Sequence, residues 1–530
     1  MGRAFGPEES EQANGGVSVS RTNDECGMTN VELPHGWANT SIKELIELNP
    51  KAQHPENLEV GFVPMPLMGK RFCERVKFEV RKWGEVKKGY THFQDGDVLL
   101  AKITPCFENG KGGLVTGLPN GVGAGSTEYF VSRPLEGYIL PEYLLAYLKT
   151  PEFMSDGATQ MTGSVGHKRV PKDFLLESKI PLAPLAEQKR IVDKLEAVLR
   201  RVDACRARLD RVPALLKRFR QSVLAAAISG RLTEEWRAAN PKQKPWLTVV
   251  SEKPIALPPG YKRLSKQSFK PTIIQHDATD LPDTWCVQTV NQLYSTNCLI
   301  DFADGNHGGL YPRKEEFGVD GALFLTATQM DNAWGVALDE CPRLNWKKAK
   351  QLTKGWAQND DVLLSHNATV GRVGILEGAS EDVLLGTSVT FYRFNPKYIL
   401  PRFGRIIFSS RFFKDQLESV MKQTTRDQVP ITKQVSLNCI CAPIDEQQEI
   451  VRRVEDLFAF ADRIEARLAT AQKTVERLTP ATFAKAFRGE LVPQDPNDEP
   501  ASALLERLRS QPASPTTKTA RKVLPVRIKH

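Results

Sequence analysis

The chain has 530 residues, 41% apolar and 25% charged, the balance of a globular protein with several packed units; a fibre or a disordered chain is excluded. Its formal net charge of +9, 72 basic against 63 acidic residues, is compatible with nucleic acid but too small to decide a partner. No apolar run approaches the ~18 residues of a membrane span, the start carries neither a signal peptide nor an acylation motif, and nine scattered cysteines without a Cys-x-x-Cys pair read as reduced thiols, so a cytoplasmic chain with no membrane contact is expected.

In chain order, residues 1–30 read as a disordered extension. Residues 31–183 read as a mixed α+β domain. Short apolar runs such as Val98–Ile103 and Tyr129–Val131 predict strands, and Leu140–Tyr147 predicts a helix. From Pro184 to Leu232 a seam of Ile191, Leu195, Val198, Val202, Cys205, Leu209, Val212, Leu216, Phe219 and Val223 steps by four and three, the 3.5-residue period that keeps one face on a partner helix. Residues 233–280, rich in Pro and Lys, read as a connector with one short helix at Glu234–Ala239. Residues 281–442 predict a second mixed domain, with strands at Val362–Leu364 and Val389–Tyr392 and a helix over Phe403–Phe413. Between Pro443 and Leu491 the seam returns as Ile450, Val454, Leu457, Ala461, Ile464, Leu468, Ala471, Val475 and Leu478. Pro213 and Pro480 are expected to kink or break these helices, and Gly230 and Gly489 to stop them. A tail, 492–530, ends the chain, basic and without structure beyond Pro512.

The halves repeat each other. Pro184-Leu-Ala-Glu-Gln-Lys-Arg-Ile-Val192 returns as Pro443-Ile-Asp-Glu-Gln-Gln-Glu-Ile-Val451 at an offset of 259 residues, which also carries Gly230-Arg-Leu232 onto Gly489-Glu-Leu491. Leu33-Pro34 with Trp37 matches Leu281-Pro282 with Trp285, Asp97-Val-Leu-Leu100 matches Asp361-Val-Leu-Leu364, and Ile139-Leu-Pro141 matches Ile399-Leu-Pro401. The first helical segment carries 12 basic and 5 acidic residues and the second 8 and 9, which favours pairing of the two with each other.

Catalytic motifs are missing. There is no G-x-x-x-x-G-K-[ST], no Asn-Pro-Pro-aromatic or Asp-Pro-Pro-Tyr of amino-methyltransferases and no H-E-x-x-H, and the run Gly121–Ser126 lacks the strand–turn–helix setting of a nucleotide turn. A non-catalytic chain with no metal and no cofactor of its own is expected. Polar residues do stand at equivalent places in the two domains. Aligned on Pro171 and Pro430, the loop Gly163–Arg169, with His167, Lys168 and Arg169, faces Lys422–Gln428, with Thr424, Thr425, Arg426 and Gln428. Same place with different content suits two loops reading different base edges; a solvated surface is the plainer alternative. The turn Thr104–Lys111 matches His366, Asn367, Thr369 and Arg372, where Lys111 and Arg372 suit phosphate better than bases. Lys70 and Arg71 open a stretch to Lys88 with eight basic and three acidic residues, a candidate phosphate patch or a solvated face.

The doubled Pro-x-x-Glu-Gln start at 184–188 and 443–447, the helix exits Ala225–Leu232 and Phe483–Leu491, Gly96-Asp97-Val-Leu-Leu and Leu364-Ser-His-Asn-Ala-Thr-Val-Gly371 together resemble one family, the specificity subunits of type I restriction-modification systems. The resemblance runs from Leu33 to Gly489. The chain departs from it in its N-terminal extension, its central connector and Asp360 where the first half has Gly96. It implies an α+β fold of two target-recognition domains separated by an antiparallel coiled coil, each reading half of a split, asymmetric site on double-stranded DNA. It also implies two modification (adenine methyltransferase) subunits and restriction subunits as partners, with S-adenosylmethionine, ATP and magnesium held there. Glu187 to Val212 is 26 residues, ~39 Å of helix, close to the ~34–36 Å of one duplex turn, so the helices read as a ruler. The rivals are a protein-binding coiled-coil scaffold and a restriction-modification fusion enzyme; the latter lacks any catalytic motif.

Overall fold

The computed structural model describes residues 33–510 apart from 165, 253–255, 258–280, 306, 308–309, 332–333 and 423–427. Expectations for 1–30, the second half of the connector and the end of the tail fall outside the described residues. The chain divides into a first unit, up to Arg206 with Thr474 onward, and a second unit, Ala207–Lys473.

In the first unit, Val98-Leu-Leu-Ala101 has no polar side chain for water and becomes an inner strand, buried on both faces. It lies in an antiparallel sheet ordered Ile46–Leu48, Tyr129–Pro134, Val98–Ala101, Gly112–Leu114. Asp97, 1% exposed, is tied to the neighbouring strand by a two-pronged pair with Arg133 at 2.9 and 2.8 Å and accepts the Gln94 backbone N–H. A second sheet runs Glu79–Lys82, Glu59–Val63, Val122–Gly125, Thr91–Gln94, with its middle pair parallel. Its glycines answer the question raised by the run Gly121–Ser126: Gly123 lies opposite Phe93, and a Cβ there would penetrate the ring. A short pair, Ala38–Ser41 with Lys179–Leu182, joins the start of the domain to its end.

The second unit uses the same connections. Leu299–Asp304, Val389–Phe394, Val362–Ser365 and Val373–Ile375 form its antiparallel sheet. Phe317–Gly318, Arg343–Leu344, Ala322–Leu325, Val383–Leu385 and Trp356–Ala357 form its mixed sheet, again around a parallel pair and with one added edge strand. Cys286–Thr289 pairs with Asn438–Cys441. Asp361 repeats the Asp97 arrangement with Arg393, at 2.8 and 2.6 Å. The turn before it needs a left-handed residue, supplied by Gly96 in one unit and by Asp360, at φ 71°, in the other.

The remaining landmarks are latches. Trp37 Nε1 donates to Glu187 Oε2 at 2.9 Å, and Trp285 Nε1 to Glu446 Oε2 at 2.7 Å. Gln188 accepts from the Leu140 N–H and donates to the Tyr138 and Ala183 carbonyls; Gln447 does the same with Leu400, Tyr398 and Ala442. The Glu-Gln dipeptide thus ties each long helix to the opening tryptophan of its domain and to the start of the helix Pro141–Leu148 or Pro401–Ser409. The helix-stopping Gly489 lies against Pro34 and Gly230 against Pro282, both left-handed and without room for a side chain.

The first long segment is two helices, Leu185–Leu209 and Val212–Ile228, broken where Pro213 opens the second. Pro480 behaves differently, because Ile444–Phe487 is assigned as one helix through it. The seams need correction at three places: Leu199 is buried where Val198 was expected to lead, while Cys205 and Leu478 are exposed. Within the second unit, Arg220 pairs with Asp462 and Glu465, Arg453 donates to the Leu232 carbonyl and Arg237 pairs with Glu446, so the two strands of helix run in opposite directions there. The connector and tail boundaries also move. Helix Trp246–Ser251 buries Trp246 and Val250 in the second core, and helix Ala501–Ser510 buries Leu504 and places Ala501 and Leu505 in the first core. Trp246 donates its N–H to the Thr284 carbonyl just as Ala501 donates to Gly36, one residue before Trp285 and Trp37. Among the described residues no helix is long and apolar enough to cross a membrane.

Candidate nucleic-acid interface

In each unit the turn beyond the buried inner strand pairs with the residues that close the second candidate loop, Lys168 and Arg169 in the first unit and Gln428 in the second. In the first, the Thr104 N–H donates to the Lys168 carbonyl at 2.9 Å, and Arg169 bridges both Ile103 and Thr162 in strand fashion. Gly163, at φ 125°, closes the loop against the His167 carbonyl. His167, Lys168 and Arg169 are exposed. Arg169 is held by Glu128 at 2.9 and 2.8 Å, and that guanidinium keeps the Glu128 carboxyl below its ordinary range. His167 and Lys168 have no such side-chain hydrogen bond among the described residues, so their polar ends face solvent.

The second unit builds the same junction. Asn367 bridges Gln428, and the Val429 N–H donates to the His366 carbonyl at 2.8 Å. The turn is tight: the Ser365 hydroxyl donates to the Thr369 carbonyl and accepts the Arg372 N–H, and Ala368 is left-handed at φ 62°. Asn367, Thr369 and Gln428 reach the surface, whereas His366 is only 4% exposed, with Nε2 unpartnered. Burial pushes the His366 pKa down, against the pull of Asp304, itself bound to His307 at 2.7 Å. Thr424, Thr425 and Arg426 lie outside the described residues.

Lys111 and Arg372 have a task that the sequence did not suggest. Lys111 Nζ donates to the Met65 carbonyl at 2.8 Å; Arg372 Nη1 donates to the Ala327 and Met330 carbonyls at 2.9 and 2.8 Å. Both side chains, partly exposed, spend hydrogen bonds on backbone oxygens of their own unit, a contact that competes with phosphate. Lys70 is exposed, but Arg71 leans on Asp203 at 3.6 Å, and Arg81 and Lys87 pair with Glu79 and Glu56, which thins the basic patch. Sequence reasoning missed Lys149, which joins the Lys70 and Gly110 carbonyls at 3.0 and 2.9 Å and whose pKa burial lowers to about 8. No motif marked it. Among the described residues no cluster of His, Cys, Asp and Glu is arranged to hold a metal.

The two units thus share one design, each with a polar junction of its own side chains beyond the inner strand. Residues 34–214 match the family described as the type I restriction modification DNA specificity domain. The specificity subunit of type I restriction enzyme EcoBI from Escherichia coli is 31% identical over 68% of this chain and 70% of that protein. That of StySPI from Salmonella potsdam is 30% identical over 74% and 76%, and that of EcoAI from Escherichia coli 28% over 85% and 82%. Among solved structures, a chain from a study of assembly and conformational transition of the type I R-M system superposes at TM-score 0.59 with 19% identity, covering 87% of this chain and all of that one. The HsdS subunit of Thermoanaerobacter tengcongensis superposes at 0.54 with 18% identity, covering 87% and 99%. The chain belongs to the family of type I restriction enzyme specificity subunits, the non-catalytic components that confer DNA sequence specificity.

Proposed function

We propose that the chain reads a split, asymmetric site on double-stranded DNA, one half through each unit, and works in the cytoplasm as the reader for a type I restriction-modification complex. The observation that supports this is the doubled junction: in both units the turn after the inner strand pairs with the end of the second loop, with His167 and Lys168 there in one and Asn367, Thr369 and Gln428 in the other. A scaffold repeated within the chain with unlike tips is what two readers of unlike half-sites require. The long helices, paired in opposite directions as a coiled coil and related by an internal pseudo-two-fold repeat, act as the spacer. Their near-equivalent copies suit two modification subunits, and restriction subunits complete the assembly. Methyl transfer, with S-adenosylmethionine, and cleavage, with ATP and magnesium, belong to those partners.

A gel-shift titration on random-sequence duplex tests the reading. Affinity is expected to fall steeply with salt, by about 0.9 in log–log slope per neutralised phosphate, and to rise when modification subunits are present. Salt-independent association, or methyl transfer by the isolated chain, contradicts it.

A further inference from the structure

We infer that Lys111 and Arg372 are positioning residues: each ties the reading turn of its unit to an aromatic strap that grips the long helix, and so fixes where the turn stands along that helix. The inference rests on the DNA-reading proposal and specifies how each reader is held. In the second unit the chain of contacts is continuous. Arg372 leaves the reading turn and binds the Ala327 and Met330 carbonyls, with its Nε buried and unpartnered. Met330 bridges Val336, and Trp334 stands two residues before that partner. Trp334 adopts φ 72°, a conformation rare for a bulky residue, and is held there from three sides. Its ring stacks on Phe458 of the long helix at 4.6 Å and 23°, the Arg405 guanidinium lies 4.3 Å over it, and its Nε1 donates to Ser409 Oγ at 2.6 Å. Arg405, largely buried, closes the path on Glu455 of the same long helix at 3.2 Å.

The first unit reaches the same end with other residues. Lys111 leaves its reading turn and binds Met65, whose segment continues into a strap. Phe72 of that strap packs edge-on against Phe483 of the helix Ile444–Phe487 at 5.8 Å, whereas Cys73 Sγ donates to the Glu196 carbonyl at 3.9 Å and Arg71 pairs with Asp203, both on the helix Leu185–Leu209. Lys149 adds a second tie from Gly110 to Lys70. A cation from the reading turn, a methionine carbonyl and an aromatic packed on a long helix recur in both units, although the residues differ and the ring of the first unit meets the far end of Ile444–Phe487 instead of the equivalent helix. Conservation of an arrangement through different side chains points to its mechanical role.

A reading turn that is loose on its helix tolerates a displaced half-site, and one base pair displaces it by about 3.4 Å. The test uses the full chain with its modification subunits and the split sequence recovered by selection from a random-sequence duplex library. Affinity is measured at the selected gap and at gaps one base pair shorter and longer. The unaltered chain is expected to discriminate by about tenfold or more, and Trp334→Ala and Arg372→Met to reduce that to about threefold or less, while Trp334→Phe, which keeps a stacking ring, largely restores it. Lys168→Ala, a tip change, should weaken binding at all three gaps by one factor and leave the ratio alone. Lys111→Met examines the first unit separately should the Trp334 variant not fold. Folded Arg372→Met and Lys111→Met variants that keep full gap discrimination, or that lose affinity equally at every gap, overturn the inference. Failure of the unaltered chain to select any split sequence refutes the DNA-reading proposal instead.

Discussion

The two latch glutamates should differ in what they contribute, and the difference follows from their partners. Glu446 is fully buried and accepts from Trp285 Nε1, from Thr233 Oγ1 at 2.7 Å and from the Arg237 guanidinium. Among the described residues Glu187 accepts a side-chain hydrogen bond from Trp37 alone and its Oε1 has no partner, and burial raises its pKa. Glu446→Ala strands a guanidinium, an indole and a hydroxyl in a low-dielectric setting, a loss of about 3–5 kcal/mol. Glu187→Ala strands one indole N–H, about 1–3 kcal/mol. The expected gap of about 2 kcal/mol is ~30-fold in local opening. Hydrogen exchange of the strand pair Cys286–Thr289 with Asn438–Cys441 in one variant, and of Ala38–Ser41 with Lys179–Leu182 in the other, reads it directly. Glu187→Gln, which keeps an acceptor for Trp37, should lose little. Equal acceleration in the two alanine variants, or the larger effect at Glu187, would refute the reasoning that counts buried partners.

Removing residues 495–530 deletes the helix Ala501–Ser510 and uncovers the positions where Leu504 and Leu505 pack, at about 1.5–3 kcal/mol for each leucine; thermal melting should show a large loss confined to the first unit, and an unchanged melt would return the segment to the status of a tail. The docking of that helix should also weaken in acid. Arg509 lowers the Glu44 pKa to about 2, so the stabilisation is complete above the ordinary value of 4.5 and is lost as pH falls from there toward 2. Pepsin cleavage at Leu504 and Leu505 should therefore rise between pH 5 and 3, and Glu44→Gln should flatten that rise; identical profiles for the two proteins count against the pair.

The inner strands were legible because Val98–Ala101 and Val362–Leu364 are apolar without interruption, and the helices because a seam repeats at 3.5 residues. The closing helices were not. Pro245-Trp246 and Pro500-Ala501 share a proline and little else, so their equivalence emerges only from the hydrogen bonds to Thr284 and Gly36. Seam membership at 198 and 199 depended on a phase shift of one residue, which composition does not reveal when both are apolar. At the candidate interface, loop placement was readable from alignment on Pro171 and Pro430. Side-chain direction was not: Lys111 and Arg372 carry the charge a phosphate contact needs, yet nearby carbonyls from residues some 40 positions away claim them. A glycine run that resembled a nucleotide turn proved to be space for Phe93.

On this reading one chain selects two separate stretches of duplex. Methylation-sensitive long-read sequencing of a strain expressing this chain with its modification subunits tests it most directly. A single motif of two unlike blocks separated by a gap of fixed length, with methyladenine in each block, is expected, and it should vanish when the chain is deleted. A methylated motif of one uninterrupted block, or one that persists without the chain, would contradict it.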